Sequence, residues 1–306
     1  MSAGTARVEL DGLTTEATDP RFADIDRLSV GELATLMNDA DSAVPAAVRR
    51  ALPQIVPALE ATASRMQQGG RLLYVGAGTP GRIGVLDAAE CPPTFSSPPE
   101  QVFAVMAGGP AAVVGAVEGA EDDAEAGAAA MLEAGVGPTD TVVGITSSGR
   151  TPFVLGAVRR ARELGALGVG LSCNPGSELS VIAEHGIEVV VGPEFISGST
   201  RLKAGTAQKL VLNMFSTIVM VRLGKTYGNL MVDVHASNDK LRERAVRIVS
   251  AITGADRDQA ITALAASGGD VKVAVVVIAR DLDAEAASAA LDTENGRLRA
   301  VLEGTE

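Results

Sequence analysis

Aromatic residues, histidine and cysteine are scarce in this chain. Its 306 residues include no Trp, two His and two Cys, and aromatic residues make up only 3%. The core must therefore be built from Ala, Val, Leu and Ile, and a hydrophobic share of 46% is sufficient for one. His185 and His235 are isolated, and neither Cys-x-x-Cys nor His-x-x-x-His spacing occurs, so we expect no metal site. Both histidines are interpreted as surface or supporting polar residues.

Positive charge and long apolar runs are also in short supply. The 26 Lys and Arg residues face 38 Asp and Glu residues, which gives a formal net charge of −12. A protein with this negative charge repels nucleic acid and anionic membranes, so neither is an expected partner. Cys91 and Cys173 do not form a disulfide framework, and the polar first 21 residues lack the apolar core of a signal peptide. No run approaches the roughly 20 apolar residues that span a bilayer. These absences predict a cytoplasmic protein.

Two turns rich in Ser, Thr and Gly are the most informative feature that is present. The first covers 76–82 and the second covers 146–152. Each follows an apolar run that predicts a strand, and each precedes a helical pattern. A tight turn between a strand and a helix collects backbone N–H groups and the positive end of the helix dipole at one point, which favours phosphate binding. The hydroxyl groups that add donors belong to Thr79, Ser147, Ser148 and Thr151.

The pattern along the rest of the chain predicts an α/β fold with a mainly parallel sheet that is covered by helices on both faces. Predicted strands are 71–75, 101–106, 141–145, 167–172 and 187–191. Predicted helices between them are 82–90, 111–134, 152–164 and 177–184. An arm (1–28) and helices at 29–37 and 43–68, the second with Ser42 as N-cap, precede the sheet. Since ligands bind beyond the carboxyl ends of parallel strands, both turns lie where a ligand is expected.

The second half of the chain changes character after Gly192. A third polar turn, 198–203, leads into a long apolar helix over 204–223, which is expected to be buried, for example against a second subunit. Residues 237–306 are rich in Ala and predict a small helical module. Within it, 271–278 is β-branched and favours a strand by propensity, but we interpret it as helix. The predicted domains are an N-terminal arm with helices (1–54), an α/β domain that holds the sheet and the polar turns (55–236), and the helical module (237–306).

Several acidic residues stand near these turns. Glu90 is expected at the end of the first turn's helix, because Cys91 is followed by two prolines that should stop it. The negative end of the helix dipole would favour a protonated, proton-donating Glu90, although a solvated surface position is equally compatible. Glu118, Glu121 and Asp122 would share one face of the helix over 111–134, either as a solvated acidic face or as part of a site.

Basic residues flank each of the three turns. We expect at least one of them to neutralise a bound anion, although any single one could be a solvated surface charge. They are Arg82, Arg150, Arg201 and Lys203.

The glycines of the first turn, at 76, 78 and 81, are spaced nearly as in the dinucleotide-binding fingerprint, so an NAD-dependent dehydrogenase is an alternative. The acidic residue that binds the ribose should stand about 20 residues past the turn, where only Glu100 occurs. A dinucleotide site would also leave the second turn without a role.

The sequence resembles a known family in these turns and in several further stretches. The turns are similar to those of the sugar isomerase (SIS) fold, and nearly the whole chain, 15–302, resembles the N-acetylmuramic acid 6-phosphate etherases. The most specific stretches are Glu-Cys-Pro-Pro-Thr at 90–94 and Gly-Ser-Thr-Arg-Leu-Lys at 198–203. These two lie within the full set of matching stretches, which is 76–82, 85–95, 107–109, 118–122, 148–152, 198–209 and 229–232.

The resemblance implies an SIS-type parallel sheet between helices and a homodimeric, cofactor-free lyase. Such an enzyme cleaves the lactyl ether of N-acetylmuramic acid 6-phosphate with water, giving N-acetylglucosamine 6-phosphate and D-lactate in cell-wall recycling. Its two catalytic carboxyl groups map to Glu90, the proton donor, and Glu121, the second acid or base. The expected phosphosugar-binding residues are Gly78, Thr79, Gly81, Arg82, Ser147, Ser148, Gly149, Arg150, Thr151, Ser199, Thr200, Arg201 and Lys203.

One position departs from the family pattern, and two related functions stay open. Pro80 stands where the family usually has Ser, which removes a hydroxyl and a backbone N–H from the first turn. Either the second turn holds the phosphate and the change is harmless, or affinity falls or the substrate shifts. A phosphosugar sensor without catalytic activity, like the glucokinase regulatory protein, and an aldose–ketose isomerase on the same fold are the alternatives.

Overall fold

A computed structural model describes residues 12–234 and 238–304 of the chain. It divides into two compact units. The first comprises 12–87 and 103–214, and the second comprises 88–102 with 215–234 and 238–304. His235 and most of the first half of the predicted N-terminal arm lie outside the described residues. The predicted domain boundaries at 54/55 and 236/237 stay a prediction.

Strands and helices alternate along the first unit, and helices predominate in the second. The strands are β1 (Leu72–Gly76), β2 (Val102–Met106), β3 (Thr141–Ile145), β4 (Leu167–Ser172), β5 (His185–Glu188), β6 (Thr226–Tyr227) and β7 (Leu230–Met231). The helices are α1 (Val30–Asp41), α2 (Val44–Gln67), α3 (Gly78–Phe95), α4 (Ala111–Val114), α5 (Ala124–Glu133), α6 (Pro152–Glu163), α7 (Glu178–Ile182), α8 (Lys203–Arg222), α9 (Asp239–Thr253), α10 (Arg257–Ala266), α11 (Val271–Arg280), α12 (Ala284–Thr293) and α13 (Leu298–Glu303). Short 3-10 turns lie at Pro20–Phe22, Ile25–Arg27 and Ala120–Asp122.

A five-stranded sheet with the order β2-β1-β3-β4-β5 is the centre of the fold. β3 pairs in parallel with β1 on one side and with β4 on the other, and β4 pairs in parallel with β5. Every residue of β1, β3 and β4 is buried, because helices cover both faces of the sheet. The predicted parallel α/β sheet between helices is confirmed. β5 begins at His185 rather than at the predicted Ile187, because pairing with β4 already starts there.

The predicted acidic helix over 111–134 is wrong. The chain forms α4, then an irregular segment with a 3-10 turn at Ala120–Asp122, and then α5. Gly115 is extended and Gly119 has a φ of 73°, so neither continues a helix. Asp123 then starts α5 afresh by accepting a hydrogen bond from the backbone N–H of Ala126. Glu121 therefore lies on a short turn between helices.

Two predicted helix ends are also wrong. α3 does not stop before Pro92 and Pro93 but ends at Phe95, because proline's fixed φ suits a helix and only the last turn loses donors. The N–H of Ser96 closes that turn on the carbonyl of Pro92. Ser42 does not cap α2. It ends α1, where its hydroxyl donates to the carbonyl of Asp39, and the N-cap of α2 is Ala43.

The second unit contains the predicted helical module. Helices α9 to α13 bury one shared apolar cluster, which includes Val249, Ala260, Val275 and Leu291. The β-branched segment in this module is helix α11, as predicted, because burial along α11 outweighs its propensity for strand. Asp270 caps α11 by accepting from the N–H of Val273. The hairpin of β6 and β7 was not predicted.

Within the described residues, no single helix is long and apolar enough to cross a membrane. The helices α10 and α11 pass such a test only as a pair, and a bend of 116° separates them.

Arg71 and Asp140 join the starting ends of β1 and β3. Asp140 accepts from the Arg71 backbone N–H, from its Nε at 3.1 Å and from its Nη2 at 2.6 Å, and also from the Gly137 N–H. Burial opposes ionisation of the carboxyl group, but these hydrogen bonds outweigh it and hold the pKa of Asp140 below its ordinary value.

We expect Asp140→Asn to lower the free energy of unfolding by about 1–3 kcal/mol at pH 7, because it leaves a partly buried guanidinium without its charged partner. Since the folded pKa is depressed, the contribution is complete above the unfolded pKa and is lost as the pH falls through the folded value. Urea unfolding of both proteins between pH 7 and pH 3 measures this. Glu163→Gln, which removes an exposed ion pair, should change little. Equal stability of Asp140→Asn and the parent at pH 7 would contradict the interpretation.

Candidate active site

The first turn connects β1 to α3 at the carboxyl end of the sheet. It is closed by the approach of two glycines: a Cβ on Gly76 would lie 2.6 Å from the backbone N of Gly81, and a Cβ on Gly81 would lie 2.8 Å from the Gly76 oxygen. Gly78 begins the helix with a φ of 56°. Gly81 therefore permits the turn to close. Pro80 stands in the first turn of α3, where a backbone N–H has no partner inside the helix in any case.

The second turn connects β3 to α6, and its hydroxyl groups bond to one another. The Oγ1 atoms of Thr146 and Thr151 lie 2.7 Å apart, and Thr146 Oγ1 lies 3.3 Å from Ser148 Oγ. Ser148 Oγ also accepts from the Arg150 N–H. Gly149 has a φ of 74°, and a Cβ there would lie 2.3 Å from the Cβ of Ser177. The turn is thus fixed in shape before any ligand arrives.

Ser147 is held from beneath by residues that the sequence did not single out as site residues. Its carbonyl accepts from the Cys173 N–H at 3.0 Å and from Asn174 Nδ2 at 2.9 Å. Its hydroxyl Oγ accepts from Nε2 of the fully buried Gln208 at 3.1 Å. Asn174 is also buried, and its Oδ1 accepts from the Thr14 N–H. These are supporting contacts for the second turn.

A cavity of about 510 Å³ opens between the two turns. Its volume is in the range of ordinary small-molecule sites. Eight of the predicted site residues line it: Gly78, Thr79, Ser147, Ser148, Arg150, Thr151, Thr200 and Glu121. Its other lining residues are Leu13, Glu16, Ala77, Pro80, Asp122, Thr146 and Pro152. Arg150 is the basic residue among them, and three carboxyl groups share the wall. The structure therefore brings both turns, the third turn and Glu121 to one place.

Arg82 has a different position from the one expected of a phosphate ligand. Its Nε donates to the carbonyl of Val113 at 2.9 Å, and its Nη2 donates to the carbonyls of Ala112 at 2.9 Å and Gly115 at 2.8 Å. The guanidinium thus fixes α4 and the start of the segment that leads to Glu121. It lines a second cavity of about 210 Å³, to which Glu121 also contributes.

The third turn divides its residues between the cavity and the core. Thr200 lines the large cavity, and Arg201 is exposed. Lys203 is buried, and its Nζ donates to the carbonyl of Val191 at 3.1 Å. Ser199 and Lys203 are not among the residues that line either cavity.

Glu194, a buried residue that the sequence did not single out, caps the start of α8. It accepts from the N–H groups of Lys203 and Ala204, both at 2.9 Å. Burial raises the pKa of Glu194, against the opposing effect of those N–H groups and of the Lys203 charge. Burial also raises the pKa of the neighbouring Cys173 thiol to about 12, and the charge of Glu194 adds to this. Lys203 therefore offsets a buried carboxylate.

Glu90 lies on α3 in the second compact unit. Its side chain is exposed, and it does not belong to the lining of either cavity described above. Because α3 continues to Phe95, Glu90 lies inside the helix, and its predicted position at the helix end is wrong. Its catalytic role stays a prediction.

Residues 54–162 match the model of the glucokinase regulatory protein N-terminal SIS domain, and 249–276 match a UBA-like domain. Among solved structures, a phosphoheptose isomerase from Francisella tularensis superposes with a TM-score of 0.50 at 22% identity, over 63% of this chain and 99% of that one, which supports the SIS fold.

Curated relatives extend the similarity to nearly the full length. The N-acetylmuramic acid 6-phosphate etherase of Streptomyces avermitilis is 57% identical over 97% of this chain and 95% of its own. That of Rubrobacter xylanophilus is 60% identical over 88% of this chain and 89% of its own, and that of Mycolicibacterium smegmatis is 50% identical over 96% and 99%. The chain belongs to the N-acetylmuramic acid 6-phosphate etherase family.

Proposed function

We propose that this chain is a lyase that cleaves the D-lactyl ether of N-acetylmuramic acid 6-phosphate with water. The products are N-acetylglucosamine 6-phosphate and D-lactate, as expected of a step in amino-sugar recycling. The observation that carries the proposal is the identity of 57% with an etherase of that name over 97% of the chain. The cavity in which Glu121 meets two hydroxyl-lined turns supports it.

In this proposal the second turn binds the phosphate. Its hydroxyl groups, the start of the twelve-residue helix α6 and the side chain of Arg150 all lie at the cavity. Backbone N–H groups and the dipole of α6 stabilise an anion there. Arg150 adds a positive charge against Glu16, Glu121 and Asp122.

The sugar then lies with its reacting carbons toward Glu121. In the open-chain form, the proton on C2 is acidic because it is next to the aldehyde. A carboxylate removes that proton, the bond between C3 and the lactyl oxygen breaks, and a carboxylic acid protonates the departing oxygen. Water adds to C3 of the unsaturated aldehyde, and a proton returns to C2. We assign the two carboxyl groups to Glu90 and Glu121.

We further propose that the chain works as a homodimer in the cytoplasm. Ile218 and Val221 on the apolar helix α8 are exposed, which suits a second subunit as their partner. Both cysteines are free thiols, as is usual in a reducing compartment. Light scattering of the purified chain, which should give twice the mass of one chain, tests the dimer.

Turnover in heavy-oxygen water tests the reaction itself. Elimination followed by addition of water should place the label on C3 of N-acetylglucosamine 6-phosphate and leave D-lactate unlabelled, because the ether oxygen departs with the lactate. Mass spectrometry of both products measures this. Label in the lactate would indicate a different bond cleavage. An isomerised sugar without lactate, or binding without any product, would favour the isomerase or the sensor and contradict the proposal.

Glu90→Gln and Glu121→Gln should each reduce lactate release by at least about 10²-fold, because each removes a proton transfer. Binding of N-acetylglucosamine 6-phosphate, measured by calorimetry, should persist, since neither residue belongs to the proposed phosphate site. Glu125→Gln is the matched control, because Glu125 is exposed on α5 and lines neither cavity. Turnover at the parent rate in either variant would reject its assignment.

Gln208→Leu should weaken binding of N-acetylglucosamine 6-phosphate by about 5–10-fold, which corresponds to one lost hydrogen bond. Since the Gln208 amide donates to Ser147 Oγ, the Ser147 hydroxyl proton is left for the phosphate. Gln208→Glu should be worse than Gln208→Leu, because a carboxylate would accept that proton instead. Calorimetry of both variants measures the effect. In a Ser147→Ala background, Gln208→Leu should have no further effect, and an equal loss there would show that Gln208 acts through the fold alone.

Pro80→Ser should leave the Michaelis constant within a factor of about two, because the position supplies no N–H that α3 needs and the second turn holds the phosphate. Steady-state assays of lactate release compare the two proteins. A Michaelis constant that falls about tenfold or more in Pro80→Ser would mean that the first turn also binds the phosphate.

A further inference from the structure

The smaller cavity lies beside Glu121 and takes no part in the proposed phosphate binding. It shares Ala77, Gly78 and Glu121 with the larger cavity, and it extends away from the second turn. Its volume of about 210 Å³ is too small for the whole phosphosugar but sufficient for one substituent. Much of its wall consists of small or apolar side chains, among them Met106, Ala107, Ala112 and Val117.

The wall of this cavity is closely packed. Gly108 has a φ of 81°, and a Cβ there would lie 2.9 Å from the Cβ of Val117 and 3.1 Å from the Cβ of Ala112. Arg82 holds α4 on the other side by its three hydrogen bonds to backbone carbonyls. The cavity is thus formed by contacts within the first unit and needs no ligand to shape it.

The charges around the cavity select what enters it. Glu118 and Glu121 contribute carboxyl groups, and Arg82 contributes a guanidinium whose Nε and Nη2 are already used. Two acidic groups against one basic group disfavour an anion such as the lactyl carboxylate. The apolar wall favours a methyl group, and Val117 is a large hydrophobic residue with 43% of its surface exposed.

We propose that this cavity binds the acetamido group on C2 of the phosphosugar. The inference rests on the proposed function, which puts C2 next to Glu121. A substituent on C2 lies beside the proton that is removed, so the cavity next to Glu121 is the one that the substituent reaches. The acetamido group is neutral, and its methyl group packs against Val117 and Ala112. The cavity therefore makes the protein selective for N-acetylated 6-phosphosugars and fixes C2 relative to the carboxyl group.

Calorimetry with the full chain tests this without turnover. The parent protein should bind N-acetylglucosamine 6-phosphate about tenfold more tightly than glucose 6-phosphate, which has a hydroxyl at C2. Val117→Phe, which fills the cavity, should abolish this preference and leave the affinity for glucose 6-phosphate within about twofold. Val114→Phe is the matched control, because Val114 is 93% exposed on the same segment and does not line the cavity, so the preference should remain.

Different results would contradict the inference alone or the proposed function together with it. If the parent protein binds both sugars equally, or if Val117→Phe weakens both equally, the cavity does not recognise the acetamido group, although the proposed function stands. If glucosamine 6-phosphate binds most tightly and Glu118→Gln removes that advantage, the cavity is a site for a cation and the inference is overturned. If the parent protein binds none of these phosphosugars, the proposed function fails and the inference fails with it.

Discussion

The parallel pairing of β1 with β3 is the constraint on which the rest of the structure depends. Gly76 pairs with Ile145, so the chain leaves these two neighbouring strands at the same edge of the sheet. The two polar turns face each other for that reason alone, and the large cavity lies between them. The opposite ends of the same strands are joined by Arg71 and Asp140, so the register is fixed at both ends.

A protein with a net charge of −12 binds an anion, on the proposed function, mainly through dipoles rather than through net charge. Two of the four basic residues beside the turns are engaged elsewhere: Arg82 bonds to three carbonyls, and Lys203 lies against Glu194 and Val191. Hydroxyl and backbone N–H groups in a fixed turn can hold a phosphate without neutralising nearby carboxylates. An acidic wall that includes Glu121 is therefore compatible with a phosphosugar in the same cavity.

The sheet and its turns could be predicted from the sequence because strands buried on both faces form continuous apolar runs, as in 141–145 and 167–172, whose bounds agree with β3 and β4. The broken segment between α4 and α5 could not be predicted, because small residues keep an apparent helical pattern while Gly115 and Gly119 interrupt it.

Gln208 and Asn174 were missed as supporting residues for a different reason. Their partner, Ser147, is far away in sequence, and only the folded sheet edge brings them together. Glu194 could have been identified as a residue that caps α8, because it stands shortly before this long helix in the sequence.

The burial of Cys173 has a practical consequence. With a pKa of about 12, this thiol is protonated at neutral pH and offers electrophiles almost no thiolate. Cys173 is fully buried, its backbone N–H donates to the Ser147 carbonyl and its Sγ lies 3.9 Å from the Ala204 carbonyl, so a reagent can reach the sulfur only when the structure around it opens. The rate at which an alkylating reagent modifies Cys173 in the folded protein therefore measures local opening of the structure around the second turn.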